Sequence, residues 1–345
     1  MTKFSRLAFA SALALIAAAP ASAALDLSTY SVSLQRGIDF DEASGVAYNY
    51  DRNVLFVIDD EGDDAAEFSL SGTRLTSDRF QTNYRDLEGV TYVGNGQYVL
   101  ADERREAMAR IAVESSGVRN NLPSNIYTGT TTAQTYLVNG GGNVGNNGLE
   151  GVAYDPITGG YFGVKQGGAP GVAQQVYFTT ISFGSSTTGT TTLAFDPAAL
   201  GLGSLSDIAV LASNPNFAGT DYFENLLILS ADPATRRLLE VTRSGSIVSS
   251  FDLSGLQIQT IEGVTLDRLG NIYLVGETGG VSTSGSTSGL AMLSRQPVAT
   301  AVPEPTTWAM MIFGMGAIGV SMRRRTKGRK EAKLSNDVTA LGISS

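Results

Sequence analysis

Apolar and polar residues alternate along this chain in short runs, with few segments at the three-to-four spacing of a helix, so the pattern predicts strands separated by turns. The clearest run, from Arg85 to Glu103, reads RDLEGVTYVGNGQYVLADE. Gly89 to Val93 and Tyr98 to Ala101 are β-rich stretches on either side of Gly94-Asn95-Gly96, and a Gly-containing Asn-Gly turn between two such stretches predicts a hairpin.

Copies of this hairpin recur along most of the chain: ASGVAYNYDRNVLFVID from Ala43, LEGVAYDPITGGYFGVK from Leu149 and IEGVTLDRLGNIYLVGE from Ile261. A weaker copy, LSDIAVL from Leu205, finds its second strand late, in NLLILSAD from Asn225. Superposing the copies puts Ser44, Glu88, Glu150, Ser206 and Glu262 at one equivalent position. Fifteen residues on, Asp59, Glu103, Lys165 and Glu277 share a second.

A third strand follows most hairpins, most clearly at Ala65 to Leu70, Met108 to Val113, Gln175 to Thr180 and Arg237 to Val241. The Ser-Gly turns in SLSGTRL and VTRSGSIV lead two of these units into a fourth. Small four-stranded sheets repeated radially bury both faces against their neighbours, which is the propeller solution. A β-sandwich does not generate such a cassette. The fold class is therefore all-β, a β-propeller with five repeats visible. The lone strand in Leu25 to Leu34 is placed to complete the last blade. Spacings of 44, 62, 56 and 56 residues between repeats exceed the ~40 to 50 of a four-stranded blade, so loops or an unrecognised blade hold the surplus. Gly140 to Gly148 reads as a mobile loop, Ser182 to Thr192 as polar strands with a turn, and Pro197 to Leu202 as a short helical turn.

The ends read differently. Lys3 and Arg6, an apolar run from Leu7 to Pro20 and Ala21-Ser22-Ala23 have the layout of a secretory signal peptide over residues 1–23. The propeller then occupies 24–300. Val302-Pro303-Glu304-Pro305 precedes an apolar stretch from Trp308 to Met322 and a cluster of basic residues from Arg323, and 326–345 form a basic and polar extension. The apolar stretch is expected to be a transmembrane helix with its basic end in the cytoplasm. A plain membrane anchor is the competing reading.

Composition narrows the chemistry. There is no Cys and no His, which removes disulfides, thiol and His-dependent catalysis and His- or thiolate-ligated metal; a metal here must be held by oxygen. Without leader and tail the body carries 15 Lys and Arg against 30 Asp and Glu, a balance that disfavours nucleic acid and polyphosphate and suits divalent cations.

The order SGVAY, DLEGVTYVGNGQYVLADER, LEGVAYDPITGG, SDIAVL with LLILSAD, and EGVTLDRLGNIYLVGE resembles the SdiA-regulated family of β-propellers over roughly residues 38 to 295. That resemblance implies six blades, a bound divalent metal taken as calcium, and no settled enzymatic reaction; phytase-like and lactonase propellers are more distantly similar. Asp207 stands where the family usually has Gly, and Lys165 where an acid is expected. Positions 303 to 325 resemble the PEP-CTERM sorting signal, which implies cleavage by an exosortase and delivery to the periplasm, cell surface or medium, often alongside exopolysaccharide. About twenty residues follow the arginines here, more than that signal usually carries.

In a propeller the first strand of each blade lines the central channel, so Glu88, Glu150 and Glu262 should converge. Crowded carboxylates need protons, hydrogen bonds or a cation. Two readings stand: calcium held by these three with Ser44, Ser206, carbonyls and water, or glutamates that cap N–H groups of the next blade without metal. Asp59, Asp60, Glu61, Asp102, Glu103, Asp232 and Glu277 end second strands and are expected at the opposite end of the hairpin or on its next loop. There they are solvated acids or a ligand site at one mouth, with Arg104, Arg105 and Lys165 as nearby cations. Tyr48, Tyr92, Tyr154 and Tyr273 read as blade packing in preference to sugar platforms. The first functional reading is a non-catalytic exported binding or scaffold module at the cell surface, with exopolysaccharide as a candidate partner. The second is a calcium-dependent phosphoesterase or lactonase with Glu88 or Glu150 as base.

Overall fold

A computed structural model describes residues 25–296, apart from 61–63, 81–85, 120, 129–133, 139–142, 168–172, 231 and 278–286, together with Phe313, Met315 and Arg323–Arg325 of the tail. The leader over 1–23, Glu61, part of the Gly140 to Gly148 loop and most of the apolar stretch from Trp308 lie outside the described residues. Phe313, Met315 and Arg323–Arg325 are helical. Among the described residues no helix is long and apolar enough to cross a membrane.

Among the described residues the strands form five four-stranded blades, the first four running in chain order from the hub outward. Blade one comprises Ala43–Asn49, Val54–Asp59, Asp64–Phe68 and Asp78–Phe80. Blade two comprises Leu87–Gly94, Gln97–Asp102, Ala107–Arg119 and Leu122–Thr128. Blade three is Leu149–Asp155, Gly160–Lys165, Gln175–Ser182 and Thr188–Phe195, and blade four is Asp207–Val210, Leu226–Ser230, Arg237–Val241 and Ile247–Asp252. Blade five takes Thr260–Leu266, Ile272–Glu277 and Ser288–Arg295 from the C-terminal side. It borrows Tyr30–Gly37 as its outer strand, which closes the ring as the lone N-terminal strand suggested. Neighbouring inner strands touch in the order one to five and back to one.

Period-two side-chain alternation explains why this ring is stable. In the second strand of blade two, Tyr98 and Leu100 point into the cluster shared with blade one, while Val99 and Ala101 point into the cluster shared with blade three. Both faces are buried, as a propeller requires. Similar clusters fill the interfaces of blades three and four, four and five, and five and one, so five apolar cores alternate with five sheets. The one between four and five also takes in Leu25 and Leu27. Their backbone N–H groups are held by blade four, Leu25 N donating to buried Glu240 at 2.8 Å and Leu27 N to Ser249 Oγ at 3.0 Å.

The count is five blades where six were expected. The surplus length implied by the repeat spacing is spent within blades. Blade two has a 13-residue third strand and an added strand, Thr135–Leu137, against its start. Ser182 to Thr192 contributes to the outer hairpin of blade three. Blade four inserts two short 3-10 turns, Leu211–Ser213 and Pro215–Phe217, between its first two strands. The fourth strands of blades one and two also pair in parallel, joining these blades at the rim.

Candidate functional site

The repeated Ser or Glu is the extra residue of a β-bulge. Pairing skips from Ala43 to Gly45, from Leu87 to Gly89, from Leu149 to Gly151 and from Ile261 to Gly263, leaving Ser44, Glu88, Glu150 and Glu262 outside the ladder. A bulge re-aims its side chain and bends the strand, and here it does so at the start of the inner strands of blades one, two, three and five. The glycine that follows lets adjacent inner strands meet. A Cβ on Gly89 would lie 2.7 Å from Gly151 Cα, and one on Gly151 would lie 2.7 Å from Asp207 Cα, closer than real Cβ contacts, so side chains are excluded there.

Glu88, Glu150 and Glu262 act on one another electrostatically and share one acidic mouth of the channel. Burial pushes the Glu88 carboxyl up to about 8, with Asp60, Glu103, Asp86 and Glu277 adding to the rise. Burial first, then Glu88 and Glu103, raises Glu150 well above the ordinary value. Burial, Glu88 and Glu277 do the same for Glu262. Glu103 and Glu150 are hydrogen-bonded; burial raises both carboxyls, and their mutual hydrogen bond raises Glu150 further while lowering Glu103. Glu103 Oε1 further accepts from Gly148 N at 3.4 Å. Glu150 Oε1 is buried without a hydrogen-bond partner.

Asp59, Asp60, Asp102, Glu103 and Glu277 of the second set lie at this same mouth and not at the opposite end of the hairpin. An antiparallel hairpin returns the end of its second strand beside the start of its first, and Leu87 pairs with Asp102 and Thr260 with Glu277. Register also corrects the superposition. Asp59 and Lys165 face the residue before the bulge in blades one and three, whereas Asp102 and Gly276 do so in blades two and five. Glu103 and Glu277 sit one residue further on and reach the glutamates. The cations are committed nearby. Lys165 Nζ pairs with Glu106 at 2.6 Å, Arg104 with Asp86 at 2.8 Å, and Arg105 with Asp102.

The serines and Asp207 show how the ring is tied. Ser44 Oγ donates to Leu87 O at 2.6 Å, linking blades one and two. Ser206 N donates to Leu229 O at 2.9 Å within blade four. Asp207, at the glycine position, accepts from Val264 N of blade five at 2.7 Å. Its carboxyl is fully buried and raised well above the ordinary value by burial, against the hydrogen bonds from Val264 and Ile208. Backbone capping across blades is thus performed by Asp207, and by Thr91 and Thr265, which accept from Tyr154 N and Tyr48 N at 2.9 and 3.0 Å. Sequence reasoning noted Asp207 as a departure and gave this capping task to the glutamates in one of its two readings. Asp60, just after the second strand of blade one, and Asp86, just before the first strand of blade two, join the acidic mouth.

Among the described residues, no group of three or more carboxylates is arranged to hold one metal ion. The donor chemistry nevertheless fits a hard cation. Every available ligand is oxygen, the acids outnumber the free cations around them, and Glu150 Oε1 lacks a partner.

The fold and this repeated hub define a β-propeller, and comparison with known families is consistent at the level of sequence. The chain belongs to the SdiA-regulated family, whose model matches residues 22–279. Residues 301–325 match the PEP-CTERM protein-sorting motif, a tail that implies export with a C-terminal anchor and exosortase processing. Among solved structures, the chain is similar to the Myxococcus xanthus glutaminyl cyclase (11% identity, TM-score 0.47, covering 78% of this chain and 97% of that one). It is also similar to a luciferin-regenerating enzyme (8%, 0.46, 76% and 95%) and to XC5397 of Xanthomonas campestris, described as a gluconolactonase (11%, 0.39, 74% and 88%).

Proposed function

We propose that this protein is an exported binding or scaffold module of the cell surface whose acidic mouth takes a divalent cation, calcium by donor chemistry. The observation that carries this reading is the convergence of Glu88, Glu150 and Glu262 on one partly dry mouth where each carboxyl is raised by burial and then by its acidic neighbours. Such a cluster is relieved by protons or by a cation. Calcium accepts six to eight oxygens in a flexible shell, so carbonyls, water and Ser206 complete what the glutamates begin; Ser44 is occupied by its bond to Leu87 O. Bound there, the ion would neutralise the mouth and tie blades two, three and five together. Exopolysaccharide is the surface component we assign as partner, on the strength of the sorting tail.

A second reading is a hydrolase using the same mouth. The hydrogen-bonded carboxyls of Glu103 and Glu150, both raised by burial, and a Glu88 carboxyl pushed up to about 8 are the features that favour it, since acid–base work needs groups that titrate near neutrality. Few cations are available to hold a phosphate. Purified protein assayed on lactones and phosphoesters with calcium and with EDTA separates the two. A melting temperature that falls in EDTA with no turnover on any substrate supports the binding module, and calcium-dependent turnover supports the hydrolase.

A further inference from the structure

At the opposite mouth, where each first strand turns into the second, all five blades contribute to a cavity of about 280 Å³. Its walls are Tyr50, Tyr92, Tyr154, Pro156 and Pro215, and Arg268, Asp51 and Ser213 supply its polar groups. The channel between this cup and the acidic mouth narrows to about 30 Å³, room for roughly one water. We infer that the cup is a binding site for one neutral pyranose residue of a glycan. This deepens the surface-association part of the proposed function, rests on it for biological context, and makes no use of the cation.

The aromatic walls are built in advance. Each of the three tyrosines leans on a buried one: Tyr50 edge-on to Tyr48 with ring centroids 4.6 Å apart, Tyr92 on Tyr98 at 5.0 Å, and Tyr154 on Tyr161 at 5.4 Å. Tyr50 also donates to Leu266 O at 3.1 Å, and Tyr92 donates to Asp51 while accepting from Gly96 N at 3.0 Å. Rings already fixed lose little entropy when a ligand stacks on them. Sequence reading assigned Tyr92 and Tyr154 to blade packing together with Tyr48 and Tyr273. Only the latter two are fully buried, at 1% exposure each.

Size and charge select the ligand. The volume is near the lower end of small-molecule sites, ~300 Å³, so it admits a single ring. Asp51 and Arg268 are of opposite sign, which penalises a strongly charged ligand of either kind. Asp51 is already engaged by Tyr92 and Asn95, and the Arg268 guanidinium lies 5.6 Å from the Tyr50 ring centre while donating to Tyr50 O. A hydrocarbon ring would strip water from these polar groups and offer no hydrogen bond in return. A pyranose offers a C–H face to the tyrosines and hydroxyls, which both donate and accept, to the polar groups.

Saturation-transfer NMR and calorimetry on the purified full-length chain in EDTA, with methyl glycosides of neutral hexopyranoses, test this. Methyl glucuronide and tetramethylammonium serve as charged probes. Saturable binding of at least one neutral glycoside and weaker binding of both charged probes is the expected result. Tyr154→Ala should weaken it roughly two- to ten-fold, the range of one aromatic contact, with Tyr154→Phe restoring it. Arg268→Ala, at an exposed position, should also weaken it. The inference is overturned by absence of saturable binding to every neutral glycoside, by preference for a charged probe, or by affinity unaltered in both alanine variants. Calcium calorimetry on the same preparation reports the acidic mouth separately, so either site can fail while the other stands.

Discussion

Asp207 of blade four accepts a hydrogen bond from Val264 N of blade five at 2.7 Å, at the position where the other four blades carry Gly45, Gly89, Gly151 and Gly263. The glycines let neighbouring inner strands approach directly. Asp207 instead bridges the approach with a side chain, at the junction whose repeat is weakest in sequence. Asp207→Ala strands a buried N–H and should cost ~1–3 kcal/mol. Asp207→Asn keeps an acceptor in a site that already disfavours charge, and should cost less. Urea denaturation at pH 7 measures both, and equal losses would contradict the bridging role.

Raised carboxyls make the protein acid-tolerant and alkali-sensitive when no cation is present. Because the folded state holds protons that the unfolded chain has released, stability is complete below the ordinary glutamate value of 4.5 and declines as pH rises toward about 8, where Glu88 titrates. Glu150, Glu262 and Asp207 shift in the same direction. Calorimetric melting in EDTA should therefore fall between pH 5 and pH 9, and calcium should flatten the decline. Melting temperatures that climb over this interval would refute the electrostatic account.

Glu150→Gln replaces a buried carboxyl that ionises only against repulsion with a neutral side chain of the same size. In EDTA at pH 8 the variant should melt higher than wild type, while its calcium affinity should drop by about ten-fold or more. The first shift follows from relief of repulsion and the second from loss of a carboxylate ligand. A variant that loses stability in EDTA instead would mean that the glutamate contributes chiefly through its hydrogen bond with Glu103.

Blades three and four are also joined by a bidentate pair. Arg243 Nη1 and Nη2 donate to the Asp155 carboxylate at 2.7 and 2.9 Å, and the Asp155 side chain is wholly buried. The arginine holds the Asp155 carboxyl below its ordinary value against the cost of burial. Arg243→Ala leaves that charge uncompensated and should destabilise by about 3 kcal/mol or more. Arg243→Lys should fall between, having one ammonium in place of the fork. Denaturation curves of the two variants at pH 7 decide this.

Much of this architecture was legible because a repeated cassette exposes its own symmetry. The bulge residues Ser44, Glu88, Glu150 and Glu262 stand out as a column once the hairpins are superposed, and the N-terminal strand is recognisable as a leftover partner for the last blade. The blade number was not legible, since extra residues in Ala107–Arg119, Thr135–Leu137 and the turns after Val210 look the same in sequence as an unseen blade. Register was legible only in part. The hairpins of blades two and five are one residue shorter than those of one and three, measured from the glycine to its partner, so counting fifteen residues lands on different rungs. The cup was missed because Tyr92 and Tyr154 occupy strand positions typical of core residues. Only the assembled ring shows that they face a cavity.

The claim that the glutamates of three blades share one site for a cation is tested most directly by counting protons released on calcium binding. Calorimetric titration at pH 7 in two buffers of different ionisation enthalpy gives that number. The account expects saturable binding with net release of about one proton or more, reduced in Glu150→Gln. Absence of calcium binding, or binding with no proton release and no change in the variant, would contradict it.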